Sequence, residues 1–326
     1  MRKVRFHRFG GAEVLQVDEV PAPVPGPGEV LVRTEAAGVS LMQLKMLRGV
    51  GEPALPGSPG GGFVGRITAV GQNVTGHRVG DRVGGVAAEV FAEQLLAVPA
   101  LITPVPEEAA AADALSLVQG GLVALAALRV GGFVPGESVL VTNAAGGVGH
   151  LMVQLARQLG ASRVVTAVSD PAKGGFLRSL GADEVVCYAE ADWGAPVDLV
   201  LEGAGGNVLP RALSTVRPFG RLVTLAGHGG TLDAGTVLGA AASVIGLAMA
   251  QLARHRAELV AEVRAELWRL WAEGQLSPAS VVFPLERARD AVALLESRAN
   301  LGKVVLSVVS PPPTPPTDFM HRHPGA

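Results

Sequence analysis

Val139-Leu140-Val141-Thr142-Asn143-Ala144-Ala145-Gly146-Gly147-Val148-Gly149 decides how this chain is read. An apolar strand over 138–142 runs into a small-residue turn, and a helix over 148–159 follows, closed by Gly160. Aligned on its last glycine, the turn is Ala144-x-Gly146-x-x-Gly149, a G-x-G-x-x-G pattern with alanine in the first slot. Gly146 lets a pyrophosphate approach the backbone, and Gly149 lets the helix pack close to the strand. The helix N-terminus adds unpaired N–H groups and a positive dipole end. Such a turn alone is a weak signal. The strand before it, the helix after it and a second strand about 20 residues on make it a strong one. Ala145, Gly146, Gly147, Val148 and Gly149 are therefore expected to bind a dinucleotide. The competing reading is a tight turn whose small residues serve packing alone.

Outward from this turn the texture alternates. A strand over 163–168 and a helix over 171–180 precede strands over 184–187, 197–201 and 221–225. That order predicts an α/β fold with a doubly wound parallel sheet of Rossmann type. The earlier residues read as short strands over 4–9, 15–20, 29–37 and 63–70. Between them lie a short helix over 41–47 and a Gly- and Pro-rich loop over 49–62. Near residue 107 the pattern turns helical, and an apolar helix over 115–128 is expected to break at Gly120-Gly121. One long amphipathic helix is expected over 253–273, a helix over 285–297 and a closing strand over 303–308. The expected division is 1–112 with 256–310 as one domain, 113–255 as the dinucleotide-binding domain, and 311–326 as a disordered proline-rich tail. His321-Arg322-His323 in that tail is read as solvated rather than metal-binding.

Composition narrows the function. Apolar residues are 48% and charged residues 17% of the 326, so a core is affordable and wholesale disorder is excluded. The net charge of −2 argues against nucleic acid as a partner. Cys187 is the single cysteine, which rules out an internal disulfide and a four-cysteine zinc site. The first residues lack the apolar run of a signal peptide, and the stretch 235–252 is short for a membrane span and reads as buried strand and helix. A cytoplasmic protein with no membrane partner is expected.

The strand over 163–168 ends at Ser169, with Lys173 one turn further. A hydroxyl and an ammonium there suit a 2′-phosphate, so NADPH is the expected cofactor. Asp170 is the counter-argument, since a carboxylate at that strand end would hold a ribose hydroxyl. Its other reading is a helix N-cap with Pro171 at the first helical position.

The chain resembles the zinc-independent medium-chain dehydrogenase/reductases, and within them the quinone oxidoreductase-like proteins. The likeness rests on Pro25-Gly26-Pro27-Gly28-Glu29-Val30, Ala37-Gly38-Val39-Ser40, Gly80-Asp81-Arg82-Val83, the 144–149 turn, Leu180-Gly181-Ala182-Asp183 and Gly302-Lys303-Val304-Val305-Leu306. It implies a GroES-like β domain built from both chain ends, an inserted Rossmann domain, and a nicotinamide held in the cleft between them. It also implies that Ser169, Lys173 and Tyr188 contact the 2′-phosphate end, and that the strand over 242–247 pairs across the axis of a homodimer. The usual Gly-Val-Asn-x-x-Asp is here Gly38-Val39-Ser40-Leu41-Met42-Gln43, and the usual Pro-Gly-x-Glu is Pro59-Gly60-Gly61-Gly62. No catalytic Cys or His cluster stands near Gly38, so a metal-free site is expected. The altered pocket fits either a specialised substrate or weakened catalysis.

Hydride transfer to a quinone or an enone needs a group to polarise the oxygen and a source of a proton. Ser40 is the first catalytic candidate, then Gln43 and Lys45; Ser40 reads equally as a strand-end turn residue and Lys45 as a solvated helix residue. Gly227 and His228 are expected at the cofactor, at the carboxyl end of the sheet. Glu202 either lines the cleft or caps its turn, and His150 reads as a partly exposed helix residue. Three functions stay open: an NADPH-dependent quinone or enone reductase of small molecules, an enoyl-thioester reductase of polyketide or fatty-acid-like synthesis, and a non-catalytic dinucleotide-binding protein.

Overall fold

The structure is a computed structural model in which residues 1–225 and 229–308 are described. Gly227, His228 and the proline-rich tail therefore lie outside the described residues. In chain order the strands are β1 (Arg2–Phe6), β2 (Leu15–Glu19), β3 (Val30–Val39), β4 (Gly61–Val70), β5 (Arg82–Ala87), β6 (Gln94–Ala97), β7 (Ile102–Pro104), β8 (Ser138–Thr142), β9 (Arg163–Val168), β10 (Glu184–Cys187), β11 (Val197–Glu202), β12 (Val216–Thr224), β13 (Ser243–Gly246), β14 (Ser280–Pro284) and β15 (Lys303–Ser307). The helices are α1 (Leu41–Leu47), α2 (Ala111–Leu115), α3 (Leu122–Val130), α4 (Gly149–Gln158), α5 (Gly174–Ser179), α6 (Val208–Ser214), α7 (Ala234–Gly239), α8 (Met249–His255), α9 (Ala257–Ala272) and α10 (Ala288–Glu296).

Two main sheets organise them. The first runs β14-β15-β3-β4-β5-β7 with β6 also on β3, and all its pairs are antiparallel except β14 with β15. It draws on both chain ends, as a GroES-like domain does. The second is fully parallel, in the order β10-β9-β8-β11-β12-β13. Parallel strands covered on both faces need continuous apolar runs. Val139, Leu140 and Val141 of β8 are accordingly buried. The chain leaves the first sheet after β7, builds the doubly wound sheet and returns with β14 and β15.

Four expectations change. Gly120-Gly121 does not break its helix: Ser116–Gly121 forms a π-helical turn that joins α2 to α3. A Cβ on Gly120 would stand 2.5 Å from the Gly147 carbonyl oxygen, so this glycine lets the helix touch the dinucleotide turn. The long helix expected over 253–273 is two, α8 and α9, split at Arg256 with φ −139° and ψ 48°. Val263, Leu267 and Leu270 of α9 join the core of the parallel sheet, so the chain re-enters the first sheet at Ser280, later than the expected 256. Finally, the 235–252 stretch is not buried: α7 and α8 hold no buried residue, and Leu238 is 81% exposed.

Arg82 fixes the point of departure from the first sheet. Its guanidinium is enclosed, pairs with the Glu35 carboxylate at 2.8 Å, and donates to the carbonyl oxygens of Pro106 at 2.6 Å and Ala109 at 2.7 Å. Removing one member of a buried pair leaves the other charge uncompensated, at a cost of about 3–5 kcal/mol. Arg82→Leu should lower the unfolding free energy by that order in urea denaturation. A loss below about 1 kcal/mol, the range of exposed pairs, would show that Glu35 and the freed carbonyls find solvent instead.

Candidate functional site

The dinucleotide turn starts where β8 ends. Asn143 takes a left-handed φ of 50°, and its carbonyl oxygen accepts from the Gly146 N–H at 3.0 Å. A Cβ on Gly149 would stand 2.2 Å from that same oxygen and 2.7 Å from the Ala144 Cα, so α4 can begin there only with glycine. Gly146 lies at the mouth of a cleft that also receives Asn143, Ser169, Lys173, Tyr188 and Arg298. The structure thus brings Ala145, Gly146, Ser169, Lys173 and Tyr188 to one cleft, though they come from different segments.

The wall beyond β9 is cationic. Lys173 donates from Nζ to the Arg298 carbonyl oxygen at 2.5 Å, bridging to the first domain. Burial pushes its ammonium below the ordinary lysine value; Asp170 opposes that shift and Arg298 adds to it. Asp170 is tied down: its carboxylate accepts from the Ala172 N–H at 2.9 Å, the N-cap role with Pro171 following. Tyr188 accepts the Asn143 N–H on its phenol oxygen at 2.7 Å, and burial pushes that phenol up to about 12. The phenol therefore stays protonated and can donate to a ligand. Glu202 does not line the cleft. It is buried and caps its own turn, accepting from the N–H groups of Ala204 at 2.8 Å and Gly205 at 2.7 Å. No carboxylate is among the described residues of the cleft wall.

Arg298 and Asn300 were not foreseen. They reach the cleft from the far end of the chain, just after α10, with Arg298 in the left-handed region at φ 57°. The sequence signal available was only the neighbouring Gly302-Lys303 pair.

A seam joins the turn to the first domain. The Gly302 N–H donates to the Ala145 carbonyl oxygen at 2.8 Å, and Gly146 and Gly302 form a parallel bridge. His150 is fully buried rather than partly exposed. Its Nδ1 lies 2.9 Å from the Gly146 carbonyl oxygen, while its Nε2 accepts the Ala279 N–H at 3.0 Å. Those partners fix the neutral tautomer with the proton on Nδ1. One turn along α4, Gln154 donates to the Ser277 carbonyl oxygen at 3.1 Å and accepts the Ser277 N–H at 2.8 Å.

The catalytic candidates follow the carboxyl end of β3, which pairs with β15. Ser40 donates from its hydroxyl to Gln43 Oε1 at 2.6 Å, and its N–H donates to the same atom at 2.5 Å. Gln43 Nε2 donates to the carbonyl oxygens of Gly38 at 2.9 Å and Gly60 at 2.7 Å. Gln43 is thus a correction: buried, with both ends of its amide occupied, it pins Ser40 and the glycine loop and has no group left for a substrate. Neither Ser40 nor Lys45 lines the cleft described above; Leu41 does. Lys45 stands in the last turn of α1.

Two family descriptions match: "Alcohol dehydrogenase GroES-like domain" over residues 26–98 and "Zinc-binding dehydrogenase" over residues 180–306. A mycobacterial protein solved with NADPH superimposes with TM-score 0.85 at 30% identity, over 94% of this chain and 100% of that one. Escherichia coli quinone oxidoreductase, solved with NADPH, gives TM-score 0.86 at 26% identity, over 94% and 100%. A phenolphthiocerol/phthiocerol polyketide synthase component of Mycobacterium tuberculosis is 32% identical over 96% of this chain, which spans only 15% of that protein's length. The chain belongs to the medium-chain dehydrogenase/reductase superfamily and is quinone oxidoreductase-like.

A zinc ion does not fit the residues around Gly38. Ser40, Gly60, Gly61, Gly62 and Gln119 offer no thiolate, imidazole or carboxylate, and the buried ammonium of Lys303 lies against Gly38. Among the described residues no group of three His, Cys, Asp or Glu side chains gathers anywhere. A nicotinamide dinucleotide does fit, because the Asn143–Gly146 turn, cations and phenol converge on one cleft.

The seam is acid-sensitive. Burial holds His150 down to about 4, against an ordinary value of 6.5. A depressed value means that the neutral form is favoured on folding. Its contribution is complete above pH 6.5 and drains away as pH falls through the folded value. The size is about 3 kcal/mol. The urea midpoint should fall between pH 7 and pH 5, and His150→Leu should start lower at pH 7 and fall less. Equal falls in both proteins would place the acid sensitivity in another group.

Proposed function

We propose that this protein is an NADPH-dependent reductase. It transfers hydride to a quinone or to an activated C=C bond, an enone or enal, of a small molecule, without a metal ion. The observation that carries this is the cleft wall, where Lys173 and Arg298 approach from opposite domains and no carboxylate stands among the described residues. A ribose carrying a 2′-phosphate is anionic, so two cations, the Ser169 hydroxyl and the Tyr188 phenol suit it better than a bare ribose. Gly146, which lines that cleft, leaves the backbone open to the pyrophosphate just ahead of α4.

Bound NADPH supplies the hydride, and the overall balance is NADPH plus a proton plus acceptor giving NADP⁺ and the dihydro product. The chain's part is to orient and to exclude water. The seam holds the turn against β15, and Ser40, held by Gln43, keeps the end of β3 in place. A second reading, an enoyl-thioester reductase, is favoured by the likeness to part of a polyketide synthase along nearly the whole of this chain.

The chain is also proposed to form a homodimer. Among the described residues β13 pairs with β12 alone, and its outer edge is open, with Ser243, Val244 and Gly246 exposed. Such edges template pairing with another copy. Val244→Pro should turn a dimer into a monomer in light scattering; a wild type that is already monomeric would end this part of the proposal.

NADPH oxidation with quinones, enones, enals and enoyl thioesters tests the activity. Turnover confined to thioesters would favour the second reading, and tight NADPH binding without turnover would favour a non-catalytic role. Lys173→Ala and Arg298→Ala should each weaken NADPH by about 10-fold or more, the range of a lost charged hydrogen bond, while NADH changes less. Equal losses for both cofactors would remove these cations from the 2′-phosphate.

A further inference from the structure

Tyr188 follows the carboxyl end of β10 and lines the cofactor cleft. β10 is an edge strand, with β9 alone beside it among the described residues. The Tyr188 N–H is held from that side, by the Val168 carbonyl oxygen at 2.8 Å. At an edge no further strand takes up the remaining backbone groups. Two side chains hold the end of β10 instead. Trp193 Nε1 donates to the Cys187 carbonyl oxygen at 3.1 Å, and Arg211 Nη1 donates to the Tyr188 carbonyl oxygen at 2.8 Å. Arg211 comes from α6, Trp193 from the loop between β10 and β11.

The two are joined to each other and to the tyrosine. The Arg211 guanidinium lies over the buried Trp193 ring, 4.5 Å from its centroid, and the Trp193 and Tyr188 rings are 5.9 Å apart. Arg211 Nη2 is sealed from solvent without a hydrogen-bond partner among the described residues. The indole face beneath the guanidinium offsets part of that cost. Neither Arg211 nor Trp193 lines the cleft. What they hold does. The Tyr188 phenol oxygen accepts the Asn143 N–H, and its own proton donates to no described residue. It shares the cleft wall with Ser169 and Lys173. A half-buried hydroxyl whose acceptor role is filled and whose donor role is open calls for an acceptor from outside the chain.

We propose that Arg211 and Trp193 are positioning residues that aim the Tyr188 hydroxyl at the ribose 2′-phosphate, so that part of the selectivity for NADPH over NADH is set behind the cleft wall. The inference rests on the NADPH reading above. The route runs through residue 188: Arg211 is spent on a carbonyl oxygen and an indole face, and only the tyrosine reaches the cleft. A hydrogen bond from a fixed phenol to a charged phosphate is among the stronger ones and is lost when the ring drifts. A ribose without that phosphate loses little.

Arg211→Leu should weaken NADPH about 10-fold in a fluorescence titration, the range of a lost charged hydrogen bond, while NADH changes much less. Tyr188→Phe should shift the NADPH-to-NADH ratio equally, and the double variant should lose no more than either alone, because both act through one hydroxyl. Trp193→Phe keeps a ring under the guanidinium and removes only the indole donor, so it should fall between wild type and Arg211→Leu. A second readout needs no cofactor, because Tyr188 is the one tyrosine of the chain. Burial pushes its phenol up to about 12. In Arg211→Leu the loosened ring should ionise nearer the ordinary value of about 10, read by tyrosinate absorbance with circular dichroism recording the fold at the same pH. Losses that multiply in the double variant, or an unchanged cofactor ratio or phenol titration in Arg211→Leu, would overturn the role of Arg211 and leave a wild-type preference for NADPH standing. A wild type that binds NADH as tightly as NADPH would remove that reading and this role together.

Discussion

The site depends on a short seam of backbone. The Gly302 N–H is bonded to the Ala145 carbonyl oxygen, and the His150 ring is bonded on both nitrogens, to Gly146 and to Ala279. Through it the dinucleotide turn of one domain is built into the edge of the other. A hinge between two sheets would ordinarily let the walls of a cleft drift. Here the turn cannot shift without breaking backbone bonds in a space where no water replaces them. The glycines at 120, 149 and 302 follow from this closeness, since a Cβ at each would lie within 2.5 Å of a carbonyl oxygen.

What was legible in the sequence was local. The turn from Asn143 to Gly149 could be read because its strand, glycines and helix are neighbours in the chain, and the helix over 41–47 matches α1 for the same reason. Asp170 and Pro171 announced a helix start by position alone. Arg298 and Asn300 carry no such signal. Each is an ordinary polar residue on a helix, loop or strand until a partner distant in the chain gives it a setting. His150 shows the same limit: a histidine in the first turn of a helix reads as half-exposed until the segment at 277–279 is laid over it. The exposed face from α7 to α8 failed for a different reason. Its small apolar residues look like core, and an open strand edge is equally apolar.

The departures at Gln43 and Gly62 look like losses when compared with the family pattern. In the structure amide side chains occupy that space. Gln43 reaches across to the Gly60 carbonyl oxygen, and the Gln119 amide rests on Gly62. Two uncharged amides thus stand where the family pattern carries carboxylates. The consequence is electrostatic. With the Lys303 ammonium enclosed against Gly38, the charge beside these amides is positive rather than negative.

The same bias extends to the cofactor end, and it arises from where the carboxylates are held rather than from how many there are. Glu202 and Asp170 both stand at carboxyl ends of parallel strands, where an acid would ordinarily meet a ribose. Each is bound instead by backbone N–H groups of its own turn. An ionised carboxylate satisfied in this way projects little field into the cleft, because the donors it faces carry the compensating dipoles. Lys173 is balanced less completely, since its ammonium rests on a neutral carbonyl oxygen and is already pushed below its ordinary value by burial. An incoming dianionic phosphate would relieve that cost. The proposed preference for a phosphorylated ribose rests on local pairing that occupies Glu202 and Asp170 with backbone donors and leaves Lys173 on a neutral carbonyl oxygen.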